Sequence, residues 1–153
     1  MKRAGLIALA LAACGDDGSG QPDAPVCIPT PSQPCTSPDG AVIDAPTPRE
    51  TIMVAQPLVV GEIVEGIMTG GPGDYAVINL HAPTPDMDWN IHGHANNDTQ
   101  IVDQAFKVTD LVDYVFLPPA EAKWYLLVRN SGATDLTVDL KVDLFGEMTW
   151  EWQ

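Results

Sequence analysis

The chain is poor in cations: 7 Lys and Arg stand against 21 Asp and Glu, a formal net charge of −14 over 153 residues. Nucleic-acid binding draws its affinity from clustered Lys and Arg that replace phosphate counterions, so nucleic acid is set aside as a partner. Catalytic residues in recognisable patterns are missing as well. Beyond residue 50 there is no cysteine, and the one serine, Ser131, sits in Asn130-Ser131-Gly132 without a Gly-x-Ser-x-Gly context. Gly70-Gly71-Pro72-Gly73-Asp74 is glycine-rich, yet it lacks the Lys and Ser or Thr of a phosphate loop and precedes a strand pattern. No His-Glu-x-x-His occurs. Paired carboxylates for glycoside hydrolysis can be drawn from the acidic residues in many ways and distinguish nothing. The expectation is a protein that is not an enzyme.

What is present begins with Lys2 and Arg3, an apolar run over 4–13, and then Cys14 followed by Gly15 and acidic residues. The run falls short of the roughly 20 apolar residues of a membrane-spanning helix and fits a secretory signal peptide, 1–13. Leu11-Ala12-Ala13-Cys14 resembles the bacterial lipobox, whose cysteine is acylated after signal cleavage. The resemblance implies that acyl chains on Cys14 bind the lipid bilayer, each buried methylene contributing about 0.8 kcal/mol. It also implies an exported protein held at the outer membrane, because Gly15 stands where Asp favours inner-membrane retention. Cys27 and Cys35 remain as an even pair in an oxidising compartment. A disulfide between them is expected, worth about 2–3 kcal/mol on a loop-entropy estimate.

Residues 14–50 hold eight of the 14 prolines and few large apolar side chains. Such a composition cannot bury enough surface to offset ordering, so a disordered or extended tether is expected. Residues 51–153 differ. Short runs rich in Val, Ile, Tyr, Phe and Trp are separated by Gly, Pro, Asn and Asp, which predicts one all-β domain, an antiparallel β-sandwich. The clearest run is 136–144, where Leu136, Val138, Leu140, Val142 and Leu144 alternate with Thr137, Asp139, Lys141 and Asp143. Asn130-Ser131-Gly132 marks the turn before it. Residues 103–112 are read as a helical turn or two.

The order Gly73-Asp74-Tyr75 at a strand start, then 88–93 with Asp88-Trp89, then 112–130 ending Lys123-Trp124-Tyr125-Leu126-Leu127-Val128-Arg129-Asn130, then 137–144, resembles the pre-peptidase C-terminal (PPC-type) modules. The resemblance implies a jelly-roll-like sandwich and a non-catalytic accessory role, with calcium or a matrix polymer as ligand in some members. Here no hydrolase is attached, the Asp-x-Asp-Leu pattern survives only as Asp86-Met87-Asp88-Trp89, and Trp150 to Gln153 run past the usual end.

Two side-chain sets are candidates for binding. His92 and His94 are two apart, so in a strand they share a face about 6–7 Å apart and can offer imidazoles to zinc or copper, with Asp98 as a third ligand. Trp89 and Ile91 then face the core. A hairpin around 82–87 would place His81 opposite Asp88, about 13 Å from His92, and Tyr75 opposite His94. The competing reading is an ordinary surface strand in which Gly93 marks a bulge or a close approach. Calcium is the other cation considered, through Asp74, Asp86, Asp88, Asp98 and Asp103 in turns. Trp150 and Trp152 share a face if the end is a strand, as a core-sealing flap or as a stacking platform for carbohydrate. The leading expectation is a lipoprotein that presents a binding or structural module at the cell envelope to a protein or polysaccharide. The alternative is a periplasmic or surface metal-binding protein using His92 and His94.

Overall fold

In a computed structural model of the chain, the structure describes residues 35–36, 42–43, 46–95 and 98–153, with backbone alone for 36, 42–43, 95 and 98–108. The alternating run forms as expected: strand β10, Leu136–Phe145, buries Leu136, Val138, Leu140, Val142 and Leu144 and exposes Thr137 and Asp139. Before it come β1 (Cys35–Thr36), β2 (Val42–Ile43), β3 (Glu50–Leu58), β4 (Ile63–Gly70) and β5 (Tyr75–His81). Then follow β6 (Met87–Ala95), β7 (Asp98–Thr109), β8 (Leu111–Phe116) and β9 (Ala122–Asn130), with β11 (Thr149–Trp152) after β10.

Two antiparallel sheets face each other, ordered β3-β10-β5-β8 and β11-β4-β9-β6-β7. Taking β3 to β10 as eight successive strands, the first, eighth, third and sixth make one sheet and the second, seventh, fourth and fifth the other. That is a double-sheet jelly roll, with β11 added at one edge. All described elements are strands, as the composition predicts.

Two expectations are corrected. β5 and β6 do not form a hairpin, because the loop between them carries Pro83 and Pro85 across to the other sheet. His81 therefore pairs with Leu111 and Asp139, Asp88 with Arg129, and Tyr75 with Phe145. Residues 103–109 are not helical but continue β7, where pairing with β6 over residues 87–95 outweighs a weak local preference. Within the proline-rich stretch, Cys35 pairs with Ile43 and Thr36 with Val42 in a short ladder. The signal peptide, Cys14, Cys27 and most of the tether lie outside the described residues.

Between the sheets lies one apolar core, with Met68, Ile78, Leu80, Ile91, Phe116, Trp124, Leu126 and Leu144 almost wholly buried. Trp124 is the largest of its fully buried side chains: its ring meets Phe116 edge-on with centroids 5.6 Å apart, and its Nε1 donates to the Ala120 carbonyl at 3.2 Å. The strand register puts Gly93 directly beside it. A Cβ at Gly93 would fall 2.5 Å from the Trp124 ring. The glycine is thus a close-approach position. The β6–β7 register also slips between Ile91 and His92, so a bulge adjoins it.

Strand direction sorts the loops onto two ends. The chain enters at Glu50 beside the turn 146–148, and Arg49 donates its N–H to the Leu144 carbonyl there. At this end Gly71-Pro72-Gly73-Asp74 makes a tight turn with Gly73 at φ 100°, which the Pro-Gly pair favours in a type II turn. Asp74 locks it to the next loop, accepting the N–H of Gly71 at 2.9 Å and of Glu147 at 2.7 Å. Loops 59–62, 82–86 and 131–135 lie at the far end.

Candidate functional site

Strand parity sends Asp88, Asn90, His92 and His94 to the outer face of the five-stranded sheet, while Trp89 and Ile91 enter the core as expected. On that face His92 meets Tyr125 of β9, which the register places beside it. The two rings stack at 5.2 Å and 13°, and His94 approaches both edge-on, 5.0 Å from His92 and 4.9 Å from Tyr125. From β4, Glu65 brings Oε1 within 3.8 Å of His92 Nε2.

The packing leaves His92 only 8% exposed although it faces outward, while His94 stays exposed. Burial lowers the His92 pKa from its ordinary value, with Glu65 opposing the shift and His94 adding to it. Neutral His92 has one N–H, and Nδ1 lies 2.8 Å from Asn90 Oδ1. The side-chain carbonyl of Asn90 accepts that proton, which leaves the lone pair on Nε2, turned toward Glu65. An imidazole fixed in this way can take a proton or contribute one ligand to a soft cation.

The other metal candidates are scattered. Asp98 and Asp103 have side chains outside the described residues. Asp74 is engaged with two backbone N–H groups at one end of the sandwich, Asp86 lies at the other, and Asp88 pairs with Arg129. Among the described residues, no three His, Cys, Asp or Glu side chains are grouped so as to hold an ion. His81 sits on the other sheet, its Nδ1 3.8 Å from Asp139 Oδ2. Sequence reasoning paired His92 with His94 but did not bring Glu65 or Tyr125 to them, because both come from strands remote in the chain.

The tryptophans separate in role. Both lie on β11 facing the same way, with ring planes at 90° and centroids 5.2 Å apart. Trp150 packs against the core, over Gly66, where a Cβ would come within 2.0 Å of its ring. Trp152 stays 44% exposed, so it alone of the two offers open ring surface. Ser131 is held as a turn residue, its hydroxyl donating to the Asp86 carbonyl at 2.8 Å.

A second surface was not foreseen. Across the outer face of the four-stranded sheet runs a groove of about 590 Å³. Ala55, Asp139, His81 and Leu111 form one cross-strand row, and Met53, Lys141, Asn79 and Asp113 the next. Met53 and Leu111, on the two edge strands, are 73% and 64% exposed and wall it in. Two polar pairs lie along an otherwise largely apolar groove: Asn79 Nδ2 donates to Asp113 Oδ1 at 3.0 Å, and Lys141 donates to buried Asp143 at 2.6 Å. The individual residue types gave no hint of this; the register assembles it.

The sequence matches no known family and no curated protein. Among solved structures, PliG of Aeromonas hydrophila, a periplasmic lysozyme inhibitor of g-type lysozyme, is similar with a TM-score of 0.45 and 9% identity, over 62% of this chain and 86% of that one. A likeness at that level assigns neither a family nor a ligand.

Proposed function

We propose that the chain is an exported lipoprotein, anchored to the outer membrane through Cys14, whose jelly roll is a non-catalytic binding module for an envelope protein or polysaccharide. The observation that carries the reading is the groove on the four-stranded sheet. Met53 and Leu111 give apolar contact area at both rims of a concave surface, and the polar pairs between them can orient a ligand. The arrangement contains no nucleophile with a base beside it. Cell-envelope fractions, peptidoglycan and outer membranes, are the probes. The full-length protein should bind one of them, and Met53→Glu with Leu111→Glu should weaken that binding at least about tenfold by placing charge on both rims. Binding unchanged in the double variant would rule out the groove. Anchoring is tested separately: Cys14→Ser should move the protein from the membrane pellet to the soluble fraction.

A second reading, a zinc or copper site, is favoured by the oriented Nε2 of His92 with His94 and Glu65 nearby. It needs a further ligand, for which Asp98 was the sequence candidate. Titration with zinc or copper that shows only millimolar affinity, unchanged by His92→Ala, would dispose of it.

A further inference from the structure

The end of the sandwich opposite the chain's entry presents a rigid apolar turn. Val59-Val60-Gly61-Glu62 closes through Glu62 N–H donating to the Val59 carbonyl at 3.0 Å, with Gly61 at φ 79°, the positive angle that position i+2 of a type II turn requires. Three more bonds brace it. Glu62 Oε2 accepts the Val59 N–H at 2.7 Å, Asp135 Oδ1 accepts the Val60 N–H at 3.1 Å, and Gly61 donates to the Asn130 carbonyl at 3.0 Å. Every backbone donor of the turn is thereby satisfied, and the side chains of Val59 and Val60 are left 56% and 51% exposed.

Beside the turn is a recess of about 560 Å³, lined by Pro57, Leu58, Val59, Pro83 and Leu136, with Glu62 and Asp135 at its polar side. Each carboxylate gives one oxygen to the turn, and the second oxygen of each remains for a ligand. Loops 59–62, 82–86 and 131–135 contain Glu62, Asp86 and Asp135 and no Lys or Arg.

We propose that this end docks a basic protein through a projecting lysine or arginine. Its aliphatic stem lies along Pro57, Pro83 and Leu136, its cationic head reaches Glu62 and Asp135, and Val59 and Val60 pack on the partner's apolar surface. Charge complementarity selects this occupant. A second copy of the chain brings the same acidity to the interface, and an anionic lipid surface is repelled likewise. A turn already fixed by these four hydrogen bonds loses little further freedom on docking, which favours affinity. The surface is separate from the groove of the four-stranded sheet and does not depend on it.

The test uses the full-length protein in detergent micelles, with amide NMR shifts read against three peptide probes, acetyl-Ala-Lys-Ala-amide, acetyl-Ala-Arg-Ala-amide and acetyl-Ala-Glu-Ala-amide. The cationic peptides should shift the amides of Val60, Gly61, Glu62, Asp135 and Leu136, and the Glu peptide should not. Glu62→Gln and Asp135→Asn keep an oxygen to accept the turn N–H groups, and each should weaken binding about two- to fivefold with the remaining spectrum unchanged. Met53→Glu should have no effect, which separates this site from the groove. Absence of localised shifts at saturating peptide, equal shifts with the Glu peptide, or shifts that track protein concentration without peptide would each overturn the proposal.

Discussion

The side-chain amide of Asn130 donates to the carbonyl of Leu58 at 3.1 Å, joining the last residue of β9 in one sheet to the last residue of β3 in the other. Asn130 is wholly buried, and it also donates to the Thr134 carbonyl at 2.9 Å and accepts the Gly132 N–H at 2.9 Å. One amide thus closes the crossover turn and ties it to the opposite strand. Asn130→Ala removes three bonds and strands the buried Leu58 carbonyl, so unfolding in urea should show a loss of about 2–4 kcal/mol. Hydrogen exchange should quicken first at Val60, Gly61 and Gly132. A loss within experimental error would mean the amide is not the organiser of that end.

Gly93→Ala should cost about 1–3 kcal/mol, since a methyl would overlap the Trp124 ring in a close-packed core. The same change in a Trp124→Phe background should cost less, because the smaller ring vacates that space. Chemical denaturation of the four proteins of this cycle measures the coupling, and strict additivity would refute the contact.

Trp150 and Trp152 should respond differently to truncation. Trp150→Ala removes a ring packed on the core and should destabilise by about 3 kcal/mol, whereas Trp152→Ala, half in water, should cost under about 1 kcal/mol. Thermal unfolding of the two variants decides the ranking.

Stability should depend on pH through His92. Its pKa is lowered in the fold, mainly by burial, so the unfolded chain binds the proton more tightly than the folded one. The neutral ring's contribution is therefore fully present above the ordinary imidazole value near pH 6.5, declines as pH falls below it, and levels off once the folded ring is protonated too. Melting temperatures from pH 7.5 to 4.5 should fall more steeply in the wild type than in His92→Gln. Parallel curves would show that another group carries the slope.

The period-2 run over 136–144 was readable without coordinates because one face of a strand meets the core and the other meets water, and composition alone reports which is which. The same parity placed Trp89 and Ile91 inside and His92 and His94 outside, and the Gly93 reading as a bulge or close approach rests on a local rule that the Trp124 contact explains. The hairpin between β5 and β6 failed for a physical reason. Loop residues such as Pro83 and Pro85 announce a change of direction but not which sheet the chain joins next.

By itself, then, the sequence determined the all-strand character, the faces of its strands and the acidity of its surface, since these follow from side-chain chemistry at neighbouring positions. Tertiary structure alone decided that His92 would lie against Tyr125 and Glu65, that Met53 and Leu111 would flank one groove, and that Val59 and Val60 would stand at the end remote from the chain's entry. Those relations join strands distant along the chain, and they are fixed by inter-strand register and jelly-roll crossing, which no local pattern of residues encodes.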